Sequence, residues 1–129
     1  MRYLVDTHVW MWLLESPDKL SPAVREAMEQ AEDLVLSVAS IWELAIKAKL
    51  GKITLPSTVS AARDEFLSQA GARELAIHSA HALAAADLPP LHRDPFDRLL
   101  IAQAQLEHLT LVTADETIRT YGLPLQWAT

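Results

Sequence analysis

Short apolar segments that favour β-strands alternate with helical segments along most of this chain. Residues 3–5, 34–38 and 109–113 predict buried strands, and residues 74–77 and 123–127 are weaker strand candidates. Helices are predicted over residues 7–15, 40–50, 78–87 and 95–107, and others begin at Pro22, Ser57 and Asp115. Strands that alternate with helices favour a parallel sheet covered on both faces. The sequence therefore predicts an α/β fold with three layers (α/β/α) and a short central parallel sheet.

Size and charge limit the class of protein. The 129 residues predict one domain over residues 1–129, since no internal repeat, low-complexity segment or linker interrupts them. The formal net charge is −6, whereas a protein that holds nucleic acid through a general basic surface is usually positive. A nucleic-acid substrate would therefore depend on local cationic side chains and on metal ions. The absence of cysteine excludes disulfides and thiolate metal sites.

The N-terminal segment gives no targeting signal. Residues 1–6 lack the organisation of a signal peptide. The nearby apolar run, residues 9–14, is much shorter than the roughly 20 residues that a membrane-spanning helix needs. We therefore expect a soluble cytoplasmic protein with no membrane segment.

Four carboxylates stand where a predicted strand ends or a predicted helix begins: Asp6, Glu43, Asp97 and Asp115. Open α/β folds place their sites outside the carboxyl ends of the strands, so these acids are expected to converge. Clustered acids in an apolar setting repel one another unless a cation joins them. Carboxylate oxygens are the natural ligands of Mg²⁺ and Mn²⁺, and the pattern therefore predicts a metal site.

Three of these acids also have a structural explanation that needs no metal. Asp6 and Asp115 can cap the helices that follow them. Glu43 can complete a capping box that begins at Ser40, or form an i,i+4 ion pair with Lys47 on the surface. The helical neighbours of Glu43 are almost all apolar, however, and this leaves little solvent-exposed face for a free carboxylate.

The segment Asp94-Pro95-Phe96-Asp97 has the form of a helix start. Asp94 is the expected N-cap and Pro95 the first helical residue, which favours a structural role for Asp94 over a ligand role. Asp97 then lies in the first turn at the head of an apolar stripe, and it is expected to point into a site.

These segments together resemble the PIN-domain ribonucleases, and in particular the VapC-type toxins of bacterial type II toxin–antitoxin systems. The resemblance rests on residues 4–8 (LVDTH), 40–47 (SIWELAIK), 50–52 (LGK), 92–102 (HRDPFDRLLIA) and 111–115 (LVTAD). These segments follow one another in the expected order and span nearly the whole chain.

The resemblance implies a PIN-like fold and a metal-dependent endoribonuclease that hydrolyses RNA phosphodiester bonds. It implies that the catalytic, metal-binding acids are Asp6, Glu43, Asp97 and Asp115, with Thr113 as a supporting hydroxyl. It also implies one or two Mg²⁺ or Mn²⁺ ions, a homodimer, and a cognate antitoxin that covers the site. One departure is Ala114, where the family often has a basic residue, and this departure removes one phosphate contact.

Other residues have candidate roles around the predicted site. Cationic side chains that can contact RNA phosphates are Lys47, Lys49, Lys52, Arg93 and Arg98, although an ordinary solvated face also accounts for the lysines. Arg98 can equally neutralise the acids. The first helix is apolar all round, so Trp10 and Trp12 either pack between layers or line a groove for an antitoxin helix.

Two alternative functions are also consistent with parts of the pattern. A carboxylate-metal phosphatase would use Asp6 as its nucleophile, although such enzymes usually carry a second aspartate where this chain has His8. A catalytically silent protein-binding module would use the acids as helix caps and the tryptophan-rich helix as its interface. His78 and His81 have a spacing that can hold a metal, but a structural role is favoured.

Overall fold

The computed structural model describes residues 1–129, which form five β-strands and seven α-helices. The strands are β1 (Arg2–Val5), β2 (Asp33–Ser37), β3 (Arg73–Leu75), β4 (Thr110–Thr113) and β5 (Leu125–Trp127). The helices are α1 (Thr7–Glu15), α2 (Pro22–Glu29), α3 (Val38–Lys49), α4 (Val59–Gln69), α5 (Ser79–Asp87), α6 (Pro95–Leu106) and α7 (Glu116–Arg119). None of these helices is both long and apolar enough to span a membrane.

All five strands are parallel and form one sheet in the order β3-β2-β1-β4-β5. The central strand β1 pairs with β2 on one side and with β4 on the other, so that Leu4 is aligned with both Val35 and Leu111. The chain extends the sheet outward in one direction through β2 and β3, and then in the other direction through β4 and β5. The carboxyl ends of β1 and β4 therefore flank a topological switch point, where open parallel sheets bind their ligands.

Each face of the sheet carries its own hydrophobic core because side chains alternate along a strand. Tyr3 and Val5 belong to a core that includes buried residues of α1, α2, α3 and α4. Leu4 belongs to a second core with Leu100 and Ile101 of α6. Helices therefore cover both faces, and the predicted three-layer α/β fold is confirmed.

The start of α3 differs from the prediction for a local reason. Val38 is apolar and β-branched and was expected to end the strand, but the Ser37 side chain caps the helix by accepting a hydrogen bond from Ala39 N at 3.0 Å. The helix begins two residues earlier than predicted, and a capping box that begins at Ser40 is wrong. The Ser40 hydroxyl instead accepts a hydrogen bond from Thr7 Oγ1 at 2.9 Å, which joins α1 to α3.

Candidate metal centre

The four predicted acids lie at the carboxyl edge of the sheet. Asp6 directly follows β1, and Asp115 is separated from the end of β4 by one residue. Glu43 lies in the second turn of α3, which follows β2, and Asp97 lies in the first turn of α6. Asp6, Glu43 and Asp97 are almost fully buried, with 1%, 3% and 3% of their surface exposed. These acids are therefore interior groups whose charges water does not screen.

Asp6 is held by β4, the strand beside its own. Its backbone N–H donates to Val112 O at 2.9 Å, and its Oδ2 accepts a hydrogen bond from Thr113 Oγ1 at 2.7 Å. The Thr113 oxygen also accepts a hydrogen bond from Asp115 N at 3.1 Å, so one hydroxyl links two of the acids. The side chain of Asp6 forms no capping hydrogen bond with α1, and capping therefore does not explain its position.

Glu43 faces the interior rather than solvent. Its Oε2 lies 3.8 Å from Lys47 Nζ, and only 24% of the Lys47 side chain is exposed. The pair is partly buried, in contrast to the surface ion pair considered from the sequence. Burial raises the pKa of Glu43 and the charge of Asp94 raises it further, whereas Thr7 and Lys47 oppose the change.

Asp97 experiences the charges of all the neighbouring acids. Burial raises the pKa of Asp97 to about 8, and the charges of Asp6, Asp94, Glu43 and Asp115 add to the increase. Burial also raises the pKa of Asp6. These acids are thus close enough to repel one another, and without a cation Asp97 retains a proton that an ordinary aspartate loses well below pH 7.

Asp115 and Asp94 combine helix capping with a place beside the site. Asp115 Oδ1 caps α7 by accepting a hydrogen bond from Ile118 N at 3.0 Å, and Asp94 Oδ1 caps α6 through Phe96 N at 2.8 Å. The predicted cap role of Asp94 is therefore present in the structure. Burial alone would raise the pKa of Asp115, but hydrogen bonds from Ile118 N and His92 outweigh it and lower the pKa.

The structure adds His92 to the site, although the sequence pattern assigns it no role of its own. His92 Nε2 lies 3.0 Å from Asp97 Oδ2 and 3.2 Å from Asp115 Oδ2. On the other side of the ring, Nδ1 accepts a hydrogen bond from Asp94 N at 3.1 Å. A ring nitrogen that accepts carries no hydrogen, so the hydrogen of this imidazole is on Nε2, facing the two carboxylates.

Three carboxylate oxygens in the site are buried and have no hydrogen-bond partner: Asp6 Oδ1, Glu43 Oε1 and Asp97 Oδ1. Buried polar atoms without partners are rare and costly in proteins, and these three are available to a cation. Oxygen donors of this kind fit a hard divalent ion. The ligand atoms of His92, Asp97 and Asp115 also lie within 4.8 Å of one another. The hydrogen on His92 Nε2 nevertheless makes that atom a donor rather than a metal ligand.

Arg98 has a different role from those predicted for it. Its guanidinium forms no ion pair with the acids, and instead donates to the carbonyl oxygens of Ala85, Leu88 and His92 at 2.8, 3.0 and 3.2 Å. These contacts, together with others to the carbonyl oxygens of residues 86 and 89 at 3.4 and 3.1 Å, tie the end of α5 and the following loop to α6. Both terminal nitrogens of Arg98 are thus engaged by carbonyl groups, and the side chain does not neutralise the acids in this structure. The phosphate contact stays a prediction.

Tyr121 holds the same loop from the other side. Its hydroxyl donates to Pro89 O and accepts from His92 N, both at 2.8 Å. The two prolines at positions 89 and 90 predict a loop here, but they do not predict its conformation. No sequence signal connects Tyr121 with His92, which lies 29 positions earlier.

Several exposed side chains lie near the acids in the sequence. Trp42, beside Glu43, is 63% exposed, and its ring meets the edge of Phe96 with centroids 5.3 Å apart. Phe96 directly precedes Asp97, so the aromatic pair borders the acidic cluster. Of the predicted cationic residues, Lys49, Lys52 and Arg93 are exposed.

The predicted apolar groove involves different residues from those expected. A groove of about 410 Å³ lies between α1, α2 and α4, and its lining includes Trp10, Leu13, Leu14, Met28 and Phe66. Trp12 does not line it. Trp10 does, but its surface is fully buried, so the α1 side chains that face the open groove are chiefly Leu13 and Leu14.

His78 and His81 contact each other at the start of α5, where His78 is the N-cap. His81 Nδ1 accepts a hydrogen bond from His78 N at 3.0 Å, which is a capping contact at the start of the helix. His81 is buried, and its Nε2 lies 3.7 Å from Glu107 Oε2. Both ring nitrogens of His81 therefore face groups of this chain, Nδ1 the backbone of His78 and Nε2 the carboxylate of Glu107, in keeping with a structural role.

Solved structures of low sequence identity share this fold. VapBC2 from Rickettsia felis, bound to a DNA fragment from its promoter, has a TM-score of 0.77 at 18% identity over the whole of both chains. DNA-bound VapBC from Salmonella typhimurium has a TM-score of 0.73 at 16% identity and covers 98% of this chain and 97% of that chain. FitAcB from Neisseria gonorrhoeae has a TM-score of 0.66 at 22% identity and covers 95% of each chain.

Sequence comparison gives a closer relationship. The model of the PIN domain family matches residues 3–123. Ribonuclease VapC22 of Mycobacterium tuberculosis is 33% identical over 122 residues, which cover 94% of this chain and 92% of that protein. The residues that the family model matches include all four acids and the whole sheet except Arg2 and the last strand. The chain therefore belongs to the PIN-domain family, as a member of its VapC-type ribonucleases.

Proposed function

We propose that this protein is a toxin endoribonuclease that hydrolyses RNA phosphodiester bonds with Mg²⁺ or Mn²⁺ as its cofactor. The observation that carries the proposal is the set of three buried, unpartnered oxygens on Asp6, Glu43 and Asp97. Acids held this close are destabilising without a counter-charge, and a site that keeps them is expected to bind a divalent cation. The similarity to a VapC ribonuclease supports RNA as the substrate class.

Each site residue has a distinct part in the proposed reaction. Asp6, Glu43 and Asp97 would hold the cation, while Thr113 fixes the Asp6 carboxylate through Oδ2. A divalent ion, when bound, polarises the oxygens of the scissile phosphate and activates water for in-line attack. Both oxygens of Asp115 already accept hydrogen bonds, so this fourth acid chiefly orients the groups around it. Water adds to phosphorus, the bond to the leaving oxygen breaks, and that oxygen takes up a proton.

Substrate contacts must be local because the chain is acidic overall. Lys49, Lys52 and Arg93 are exposed and can contact the phosphates on either side of the cleaved bond. The exposed ring of Trp42, supported by Phe96, offers a surface on which an unpaired base can stack next to the acids.

The groove between α1, α2 and α4 is the proposed antitoxin contact. Its apolar lining suits the apolar face of a partner helix. A toxin–antitoxin complex from Klebsiella pneumoniae is among the structures of the same fold. We also propose that the toxin forms a homodimer.

Neutralising single acids tests the metal centre. Asp6→Asn and Asp97→Asn should each lower Mn²⁺-dependent cleavage of single-stranded RNA by on the order of 100-fold or more, because each removes an anionic ligand. Purified variants with unchanged circular dichroism are compared by gel assay. Asp18→Asn is the matched control, since Asp18 is exposed and outside the site. Full activity in either folded site variant would contradict the assignment.

The raised pKa of Asp97 predicts a pH-dependent stability of the metal-free protein. Between its ordinary value of 3.8 and its folded value of about 8, the folded state binds more protons than the unfolded state. Stability therefore falls as pH rises through this range. Asp97→Asn removes the effect, so its advantage over the wild type should grow with pH and reach about 1–3 kcal/mol near the upper end.

Urea unfolding in the presence of a chelator, repeated across this pH range, measures the difference in unfolding free energy. Asp18→Asn should give no such trend. An Asp97→Asn advantage that does not change with pH would show that the carboxyl group is not repelled by its neighbours.

The groove is tested with a charge in its apolar lining. Leu13→Lys should abolish stable binding of the antitoxin, taken as the small protein encoded by the neighbouring reading frame, because a buried unpaired ammonium is costly. Leu106→Lys, on an exposed position of α6, is the control. Light scattering of the co-purified proteins shows whether the complex has formed. The same measurement on the toxin alone gives its mass and tests the homodimer. Normal complex formation by Leu13→Lys would exclude this groove.

The aromatic pair is tested by binding alone. In an Asp97→Asn background, Trp42→Ala should weaken the affinity for single-stranded RNA by about 1–3 kcal/mol, the range for one base–aromatic stack, while Trp42→Phe retains most of it. Fluorescence anisotropy with a labelled oligonucleotide measures the affinity. The alanine variant could instead bind RNA as tightly as its Asp97→Asn background but have half the mass of that background in solution. This result would assign Trp42 to the dimer contact and not to RNA binding.

A further inference from the structure

We infer that His92 is a positioning residue, whose Nε2–H orients Asp97 for cation binding and joins it to Asp115, and which is itself held in place by Tyr121. The inference rests on the proposed metal-dependent function and extends it to two residues outside the acidic quartet. His92 and Tyr121 are thus distinct from the four acids and from Thr113, whose hydroxyl supports Asp6.

The orientation of the imidazole is determined by the backbone. Asp94 N donates to His92 Nδ1 at 3.1 Å, within the cap of α6. If the hydrogen were on Nδ1, it would face the N–H of Asp94. If the ring were turned over, a carbon would take the place of Nδ1, and the N–H of Asp94 would lose its acceptor. The Nε2–H is therefore directed at Asp97 Oδ2 and Asp115 Oδ2, at 3.0 and 3.2 Å.

This contact selects which oxygen of Asp97 is free. Oδ2 faces the histidine, and Oδ1 is buried without a partner. A carboxylate without such a contact turns more freely about its last torsion, and its ligand oxygen is then not fixed in one direction. The hydrogen bond thus pre-orients the ligand oxygen before a cation arrives, as second-layer partners of metal ligands generally do.

The position of His92 depends in turn on Tyr121. The tyrosine hydroxyl accepts from His92 N and donates to Pro89 O, so it joins the residue to the start of its own loop. Arg98 ties the same loop to α6 through hydrogen bonds to the carbonyl oxygens of residues 88, 89 and 92. Only 13% of the His92 side chain is exposed, so the ring has little room to leave the acids. The chain of contacts runs from Tyr121 through His92 to Asp97.

Two amide substitutions separate the donor from the rest of the ring. In His92→Gln the amide nitrogen reaches the position of Nε2 and can donate to the acids. In His92→Asn the shorter side chain can still accept from Asp94 N but offers no donor at the acids. We expect Mn²⁺ affinity, measured by titration calorimetry on the full chain, to fall about 10–100-fold in His92→Asn and to be largely restored in His92→Gln.

Tyr121→Phe keeps the ring and removes only the hydroxyl. It should also weaken Mn²⁺ binding, by less than His92→Asn, because the loop retains its contacts to Arg98. A second measurement needs no variant: nitrogen NMR of the histidine ring in the metal-free protein should report the tautomer with hydrogen on Nε2. Hydrogen on Nδ1 would overturn the inference, whatever the activity.

The outcomes distinguish this inference from the proposed function. If His92→Asn binds Mn²⁺ as the wild type does while Asp97→Asn does not, the positioning role is overturned and the metal centre stands. If Asp97→Asn also binds normally, the metal centre itself is wrong and the role of His92 with it. Equal losses in the asparagine and glutamine variants would assign His92 to packing rather than to donation, and would likewise overturn the inference.

Discussion

Repulsion among acids buried at one edge of a parallel sheet is the constraint on which the rest of this structure depends. The sheet brings Asp6 and Asp115 to the switch point, and α3 and α6 add Glu43 and Asp97. Burial and mutual repulsion raise the pKa of Asp97 to about 8. Such an arrangement is unfavourable for the metal-free fold, and it is consistent with a site that gains stability when a cation binds.

The surrounding hydrogen bonds divide the carboxylate oxygens into two groups. Thr113 and His92 contact the Oδ2 atoms of Asp6 and Asp97, and the Oδ1 atoms are left buried and free. Asp115, by contrast, has partners for both oxygens. This division indicates that the acids of one cluster have different roles, some as metal ligands and others as supports for the ligands. All of them nevertheless stand at similar positions in the sequence, where a strand ends or a helix begins.

Much of this site was predictable because it follows from simple rules. Helix α1 has the predicted bounds, 7–15, and parallel strands bring their following residues to one edge. The acids could therefore be grouped without coordinates. The parts that could not be predicted depend on a loop conformation: Arg98 turns away from the acids to carbonyl groups, and Tyr121 reaches His92 across 29 positions. The spacing of apolar residues along the sequence does not predict such contacts, since each involves a single side chain and irregular backbone.

The strand order has a consequence for the timing of assembly during synthesis. β1 occupies the centre of the sheet, yet one of its two partners, β4, begins only at Thr110. Thr113, Asp115 and the tyrosine behind the histidine loop all belong to this late segment. A nascent chain that has been synthesised only as far as α6 contains β1, β2 and β3 but none of these groups. The metal centre therefore cannot be completed before β4 is added beside β1, and the site is among the last parts of the fold to assemble in a growing chain.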